Sequence, residues 1–185
     1  MRRWMAALLL LLPLWGCAGQ ESSLDEALRF RASLTQAGGC SFVGRITADF
    51  GDSVEVFTVS CRASAEGTTE LTLLEPETLE GVTAVVSQDG GTVTYDGLMV
   101  EFGLLAQGNL IPAAAPAVVA GCWSSAYISC AASDADSYRV TYEWDYEEKR
   151  LTVDTFFKNG LPYYAEVCYN QTCVLQMEIS DYTMN

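Results

Sequence analysis

The chain has 185 residues, half of them hydrophobic, with 10 basic and 24 acidic residues and no histidine. The missing imidazole excludes Ser-His-Asp and Cys-His catalysis and removes the commonest zinc ligand. A net charge of −14 argues against nucleic acid and against electrostatic adsorption to anionic lipid.

Met1-Arg2-Arg3 is followed by an apolar run from Trp4 to Trp15, and the chain turns polar after Cys17. A basic start, a short apolar middle and a small residue at the cut predict a secretory signal over residues 1–16. The run falls short of the roughly 20 apolar residues that span a bilayer. Leu14-Trp15-Gly16-Cys17 resembles the bacterial lipobox, with Trp15 standing where that pattern usually has a small residue. The resemblance implies a diacylglycerol thioether on Cys17, acyl chains of the palmitate type, and cleavage ahead of it. An ordinary signal that happens to contain a cysteine is the alternative. Two or three acyl chains at about 0.8 kcal/mol per buried methylene hold a protein to a membrane. Residues 17–23 then read as the lipidated cysteine and a tether, and residues 24–185 as one domain. Arg2 and Arg3 leave with the signal, so 8 basic and 24 acidic residues remain, a net charge of −16.

Leu24 to Ala37 has helical spacing through Leu24, Ala27, Leu28 and Leu34. Ser23 is placed to cap it, Asp25 and Glu26 suit the first turn, and Gly38-Gly39 ends it. Antiparallel strands are predicted next at 41–50 and 53–62 around Gly51-Asp52, then at 70–74, 83–87, 92–95 and 98–102. Leu104 to Ala120 is apolar and alanine-rich but broken by Pro112 and Pro116. It reads as a short helix or two lying over the sheet. From Tyr138 to Tyr146 aromatic and branched residues alternate with Arg139, Thr141, Glu143 and Asp145, which is a strand with one buried face. Strands at 151–157, 163–169 and 173–180 follow, the first two joined by Asn159-Gly160. About ten strands and these helical segments predict a mainly β fold of the α+β kind. It is a strongly curved antiparallel sheet wrapped around a helix, with an N-terminal helix and a mid-chain helical segment.

Six cysteines remain beyond Cys17, an even number that reads as disulfides in an exported chain. Fifteen pairings are possible. Spacing suggests Cys168 with Cys173 across the Asn170-Gln171 hairpin tip, Cys40 with Cys61 across the first hairpin, and Cys122 with Cys130 across a short loop. The Cys168–Cys173 register would also set Glu166 opposite Leu175, which a bulge or an exposed edge would have to accommodate. Thiolate metal ligation is the rival reading, but no C-x-x-C pair is present.

Leu74-Glu75-Pro76-Glu77-Thr78-Leu79-Glu80-Gly81-Val82, with Tyr95-Asp96-Gly97-Leu98 after a glycine turn, resembles a stretch of the LolA-like superfamily of lipoprotein carriers and their relatives. Those relatives include lipoproteins of spore-forming bacteria linked to sporulation or germination. The resemblance implies a half-open β-barrel with a hydrophobic concave face under a mid-chain helical lid, a face that carrier members use for acyl chains and other members for proteins. No ligand residue carries over by motif.

Tyr142, Trp144, Tyr146 and Phe157, with Phe156, are the candidates to line an acyl pocket, and plain core packing is the alternative for each. Asp134-Ala135-Asp136-Ser137 lacks the further ligands of a calcium loop, and no pair of acids is singled out for hydrolysis. No metal, cofactor or catalytic residue is expected. The chain therefore reads as an extracytoplasmic membrane-anchored lipoprotein binding a lipid or acylated peptide without catalysis. The alternative is an envelope protein–protein interaction module with a filled core. A void behind the sheet would favour the first and a solid concave face the second.

Overall fold

The structure, a computed structural model, describes residues 22–49, 53–106, 109–134, 136–146, 149–169 and 172–185, with the side chains at 105, 106, 109, 134, 146 and 149 set aside. The signal segment, Cys17 and the expected turns at Gly51-Asp52, Glu147-Glu148 and Asn170-Gln171 lie outside the described residues.

The first element is helix α1 (Ser23–Ala37). It begins one residue earlier than the spacing suggests, because Ser22 supplies the cap and accepts from the Asp25 N–H. Gly38 ends it with φ of 77°, a left-handed conformation that glycine adopts without strain. Its buried face is Ala27, Phe30 and Leu34, and Leu24 and Leu28 are exposed. The predicted face was rotated because Phe30 is the large side chain that meets the sheet.

Eleven strands then form one antiparallel sheet. They are β1 (Gly39–Asp49), β2 (Val54–Ser64), β3 (Thr69–Glu75), β4 (Thr83–Ser87), β5 (Gly90–Tyr95) and β6 (Leu98–Phe102), followed after the mid-chain segment by β9 (Tyr127–Asp134), β10 (Ser137–Tyr146), β11 (Lys149–Lys158), β12 (Leu161–Tyr169) and β13 (Thr172–Met184). The order across the sheet is β6-β5-β4-β3-β2-β1-β13-β12-β11-β10-β9. Each half is a meander of neighbouring hairpins. The one long-range join is β1 on β13, which runs from Cys40 opposite Met184 to Ala48 opposite Leu175. The sheet does not close, so it is a half-open barrel with β6 and β9 as its edges. Strand β9 is the element beyond the ten expected. Its sequence, Tyr-Ile-Ser-Cys-Ala-Ala-Ser-Asp, has no period-two apolar pattern to announce it.

The segment between the halves has a two-residue ribbon, β7 (Leu105–Ala106) against β8 (Asn109–Leu110), and a short 3₁₀ turn at Pro112–Ala114. That turn runs into helix α2 (Ala115–Ser124). Pro116 is tolerated because it sits in the first helical turn, where its missing N–H has no partner to lose. Ala115, Pro116, Val118, Val119, Ala120, Gly121, Cys122 and Trp123 are all buried, so α2 is a core helix laid into the concave face.

Arg31 of α1 fixes the far end of α2. Its guanidinium donates to the carbonyls of Trp123 (2.9 Å), Cys122 (3.1 Å) and Ala126 (2.7 Å). The last carbonyls of a helix have no partner within it and carry partial negative charge, which a cation satisfies. Gly121 is required on the opposite side: a Cβ there would lie 2.6 Å from the Trp144 ring.

Arg31→Ala should cost about 2–4 kcal/mol in denaturant unfolding, because it leaves carbonyls unpaired in a half-buried place. Arg31→Lys should recover less than half of that, since an ammonium lacks the planar fork. Gly121→Ala should cost about 1–3 kcal/mol by overpacking. A loss below about 0.5 kcal/mol for Arg31→Ala would show that this clamp does not hold α2.

Candidate functional site

Among the described residues, the protein's own side chains occupy the centre of the concave face. Trp123 projects from α2 into its centre, fully buried, and its indole N–H donates to the Thr155 hydroxyl at 3.0 Å. Thr155 is itself fully buried, so the bond satisfies two polar groups that would otherwise be stranded. Around the indole stand Phe42 at 5.4 Å and Phe30 and Tyr182 at 5.9 Å between ring centroids. These four aromatics come from α2, β1, α1 and β13, so one ring knits both halves of the sheet to both helices. Sequence reading missed Trp123 because it lies past the alanine-rich run, outside any periodic segment.

The predicted pocket residues belong to the same packing. Tyr142 and Phe157 are buried, and Trp144 is 8% exposed. Phe157 stacks on Tyr138 at 4.7 Å with nearly parallel rings, and it meets Phe30 edge-on at 4.9 Å. The Tyr142 ring has the Arg31 guanidinium 5.9 Å from its centroid. Phe156 points to the other face of the sheet, where it packs with Tyr163 and Tyr164. The side chain of Tyr146 lies outside the described ones. Burial raises the Tyr142 hydroxyl well above the usual tyrosine range and pushes Tyr138 up to about 12.

Two spaces border Trp144. One is an open cleft of about 420 Å³ between the Gln88-Asp89 turn, Ser125-Ala126 and the Glu143-Trp144-Asp145 stretch of β10. Its rim carboxylates Glu143 and Asp145 both engage Arg150, at 3.3 and 2.9 Å. The other is a void of about 10 Å³ beneath Leu104, Ala117 and Val118, too small for an acyl chain. The Trp144 indole N–H is buried without a hydrogen-bond partner.

No protein-family model matches the chain, and no curated protein matches it. Solved structures do. A DUF1329 family protein from Desulfovibrio piger is similar with a TM-score of 0.51, 8% identity, and coverage of 88% of this chain and 92% of that one. A LolA superfamily protein from Nitrosomonas europaea is similar at 0.47, with 10% identity and coverage of 90% and 94%. A putative outer membrane lipoprotein-sorting protein domain from Vibrio parahaemolyticus is similar at 0.47, with 8% identity and coverage of 88% and 92%. The fold shared with the DUF1329 family protein is the half-open antiparallel barrel, over most of both chains. At such identities the likeness speaks of fold alone.

The sheet also settles the Glu166 register. A bulge between Val167 and Cys168 lets Val167 pair with Leu175 on the buried face, while Glu166 pairs with Gln176 outside and accepts a bond from Tyr164. Cys168 stands directly opposite Cys173, as the spacing predicted. All six described cysteines are nevertheless free thiols in the structure. Cys40 pairs with Ala63 and Cys61 with Phe42, so these two cysteines are diagonal neighbours. Diagonal spacing of about 7–8 Å between Cα atoms exceeds what a disulfide spans. Cys122 is enclosed beneath the sheet, and Cys130, paired with Thr141 on the outer face of β9, is exposed. The expected Cys122–Cys130 bridge is therefore not made, because the intervening residues form a strand edge instead of a short loop.

Burial pushes the Cys40 thiol up to about 11 and raises Cys61 and Cys122 further still. Reduced native protein near pH 8 should therefore alkylate quickly at exposed Cys130 and at Cys40, Cys61 and Cys122 only on unfolding, read by peptide mass mapping. Rapid native labelling of Cys122 would place α2 elsewhere.

Proposed function

We propose that this chain is a lipid-anchored extracytoplasmic lipoprotein whose LolA-like domain works without catalysis, as a docking module at the cell envelope. The observation that carries this reading is the concave face filled by Trp123, Phe30, Phe42 and Phe157. A carrier needs a mouth and a void, whereas among the described residues these buried aromatics stand at the centre of the concave face. The N-terminal pattern supports an anchor on Cys17. No helix among the described residues is long and apolar enough to cross a membrane.

A second reading, a hydrophobic-ligand carrier with α2 as its lid, is favoured by Trp144. Trp144 lines the 420 Å³ cleft, and its indole N–H is buried without a partner, a donor that a ligand oxygen could satisfy. Titration with a dansyl fatty acid separates the two. The docking reading predicts no saturable binding to the full-length protein. Saturable binding that Trp144→Asp abolishes would establish the carrier instead. Cys17→Ser should release the protein from the membrane fraction, and a variant still retained there would contradict the anchor.

In an oxidising compartment the proposal extends to one bridge. The facing thiols of Cys168 and Cys173 would give up two protons and two electrons to the disulfide of a thiol oxidoreductase, which leaves as a dithiol. Burial, then Cys173 beside it and the carboxylates of Glu166 and Asp154, push the Cys168 thiol up to about 12, so the bridge needs a catalyst to form quickly. Intact mass should fall by about 2 Da on oxidation, with Cys168 and Cys173 in one linked peptide. Unlinked peptides from oxidised protein would refute the bridge.

A further inference from the structure

We propose that the outer edge of β6 receives an extended cationic segment of a partner protein as an added strand, with apolar and basic side chains alternating along it. This rests on the docking reading above and names its surface and the chemistry of its partner.

The two sheet edges are unlike. Along β9 the ladder to β10 is broken by a bulge between Thr141 and Tyr142, and α1 is packed close enough for Ser23 and Ser133 to share a hydrogen bond. A bulge and a covering helix are means by which proteins blunt an edge. Strand β6 has neither. It pairs with β5 without irregularity from Tyr95–Leu98 to Gly91–Phe102, it contains no proline or lysine, and no strand among the described residues covers its far side.

The hairpin fixes which backbone groups are available. Asp96 and Gly97 both have positive φ, 47° and 77°, as a two-residue primed turn requires. Counting from that turn, Leu98, Val100 and Phe102 exchange hydrogen bonds with β5. The N–H and C=O groups of Met99 and Glu101 therefore point outward. An incoming strand would meet Leu98, Val100 and Phe102 on one face and Met99 with Glu101 on the other. Leu98 and Met99 are 72% exposed and Val100 63%, a density of uncovered apolar surface that isolated surface residues do not reach.

Charge selects the occupant. Between Arg62 and Arg139 the chain contains no lysine or arginine and ten acidic residues, seven of them from Glu70 to Glu101. The wing built from β3 to β6 is thus wholly anionic. A second copy would bring the same sign to the edge, and an anionic lipid surface would be repelled. A segment with apolar residues facing Leu98 and Val100 and basic residues facing Glu101 satisfies hydrogen bonding, burial and charge together.

The test uses full-length protein and a fluorescein-labelled synthetic peptide of alternating lysine and valine, read by fluorescence anisotropy. Saturable binding is expected. It should weaken about tenfold or more with Met99→Pro, which removes an outward N–H and leaves the bonds to β5 intact, and also with Glu101→Lys. A peptide with its lysines and valines in two blocks should bind comparably weakly, and binding to the alternating peptide should decline as salt rises. Unchanged circular dichroism melting shows that each variant is folded, and Glu101→Lys carries the test if Met99→Pro loosens the hairpin. Equal affinity across variants and peptides, or no binding, overturns the proposal. So does a dimer in sedimentation that Met99→Pro abolishes, which would give the edge to a second copy. Failure of the docking reading is a separate result, because it appears as saturable fatty-acid binding.

Discussion

Arg31 holds the end of a helix that has no polar face of its own. Helix α2 is apolar all round and would have nowhere to put its terminal carbonyls if it were simply pressed into the concave sheet. Residues 120 and 121 are served by the Ser124 and Ser125 hydroxyls and the Ser125 N–H. The guanidinium of Arg31 takes Cys122, Trp123 and Ala126. With those groups satisfied, Trp123 can occupy the centre of the half barrel with its N–H on Thr155. Remove the clamp and the burial of α2 strands several acceptors at once, so the closed concave face depends on one side chain of the N-terminal helix.

A filled half barrel has a consequence for where binding can happen. The described inner surface is taken up by the protein's own aromatics, and the docking reading places recognition on the outside and the edges. The outside is divided. Beyond Arg2 and Arg3, basic residues are confined to α1, β1, β2, β10 and β11, while the wing from β3 to β6 carries acids alone. Apolar exposure concentrates on that same wing. Charge of one sign beside uncovered hydrophobic surface at an unblunted edge is an arrangement suited to a partner and costly in its absence.

Much of this architecture could be read from residue pattern. The alternation from Tyr138 to Tyr146, the Asn159-Gly160 turn and the first hairpin placed strands within a residue or two, because period-two burial leaves a direct trace. What escaped notice has physical reasons. The helix face was assigned from leucines, yet Leu24 and Leu28 face solvent and Phe30 meets Trp123, a contact between residues far apart in the chain. Strand β9 is paired with β10 and carries no alternating apolar pattern of its own, so its sequence is silent. Of the aromatic stripe, Tyr142, Trp144 and Phe157 are buried on the inner face and Phe156 lies on the other, but whether an inner face lines a pocket or a core depends on what α2 brings to it. The diagonal offset of Cys40 and Cys61 was within reach of the pattern, since strands meeting across a two-residue Gly51-Asp52 turn set Cys40 opposite Ala63.

The central claim is that α2 is a fixed part of the core and not a lid. Native-state hydrogen exchange measures this directly, residue by residue. The account predicts that amides in the α2 interior, around Val119 to Trp123, exchange as slowly as those of β1 and β13 and only through global unfolding. Exchange of α2 several orders of magnitude faster than the central strands would mean that it opens by itself, and would make the concave face a gated pocket.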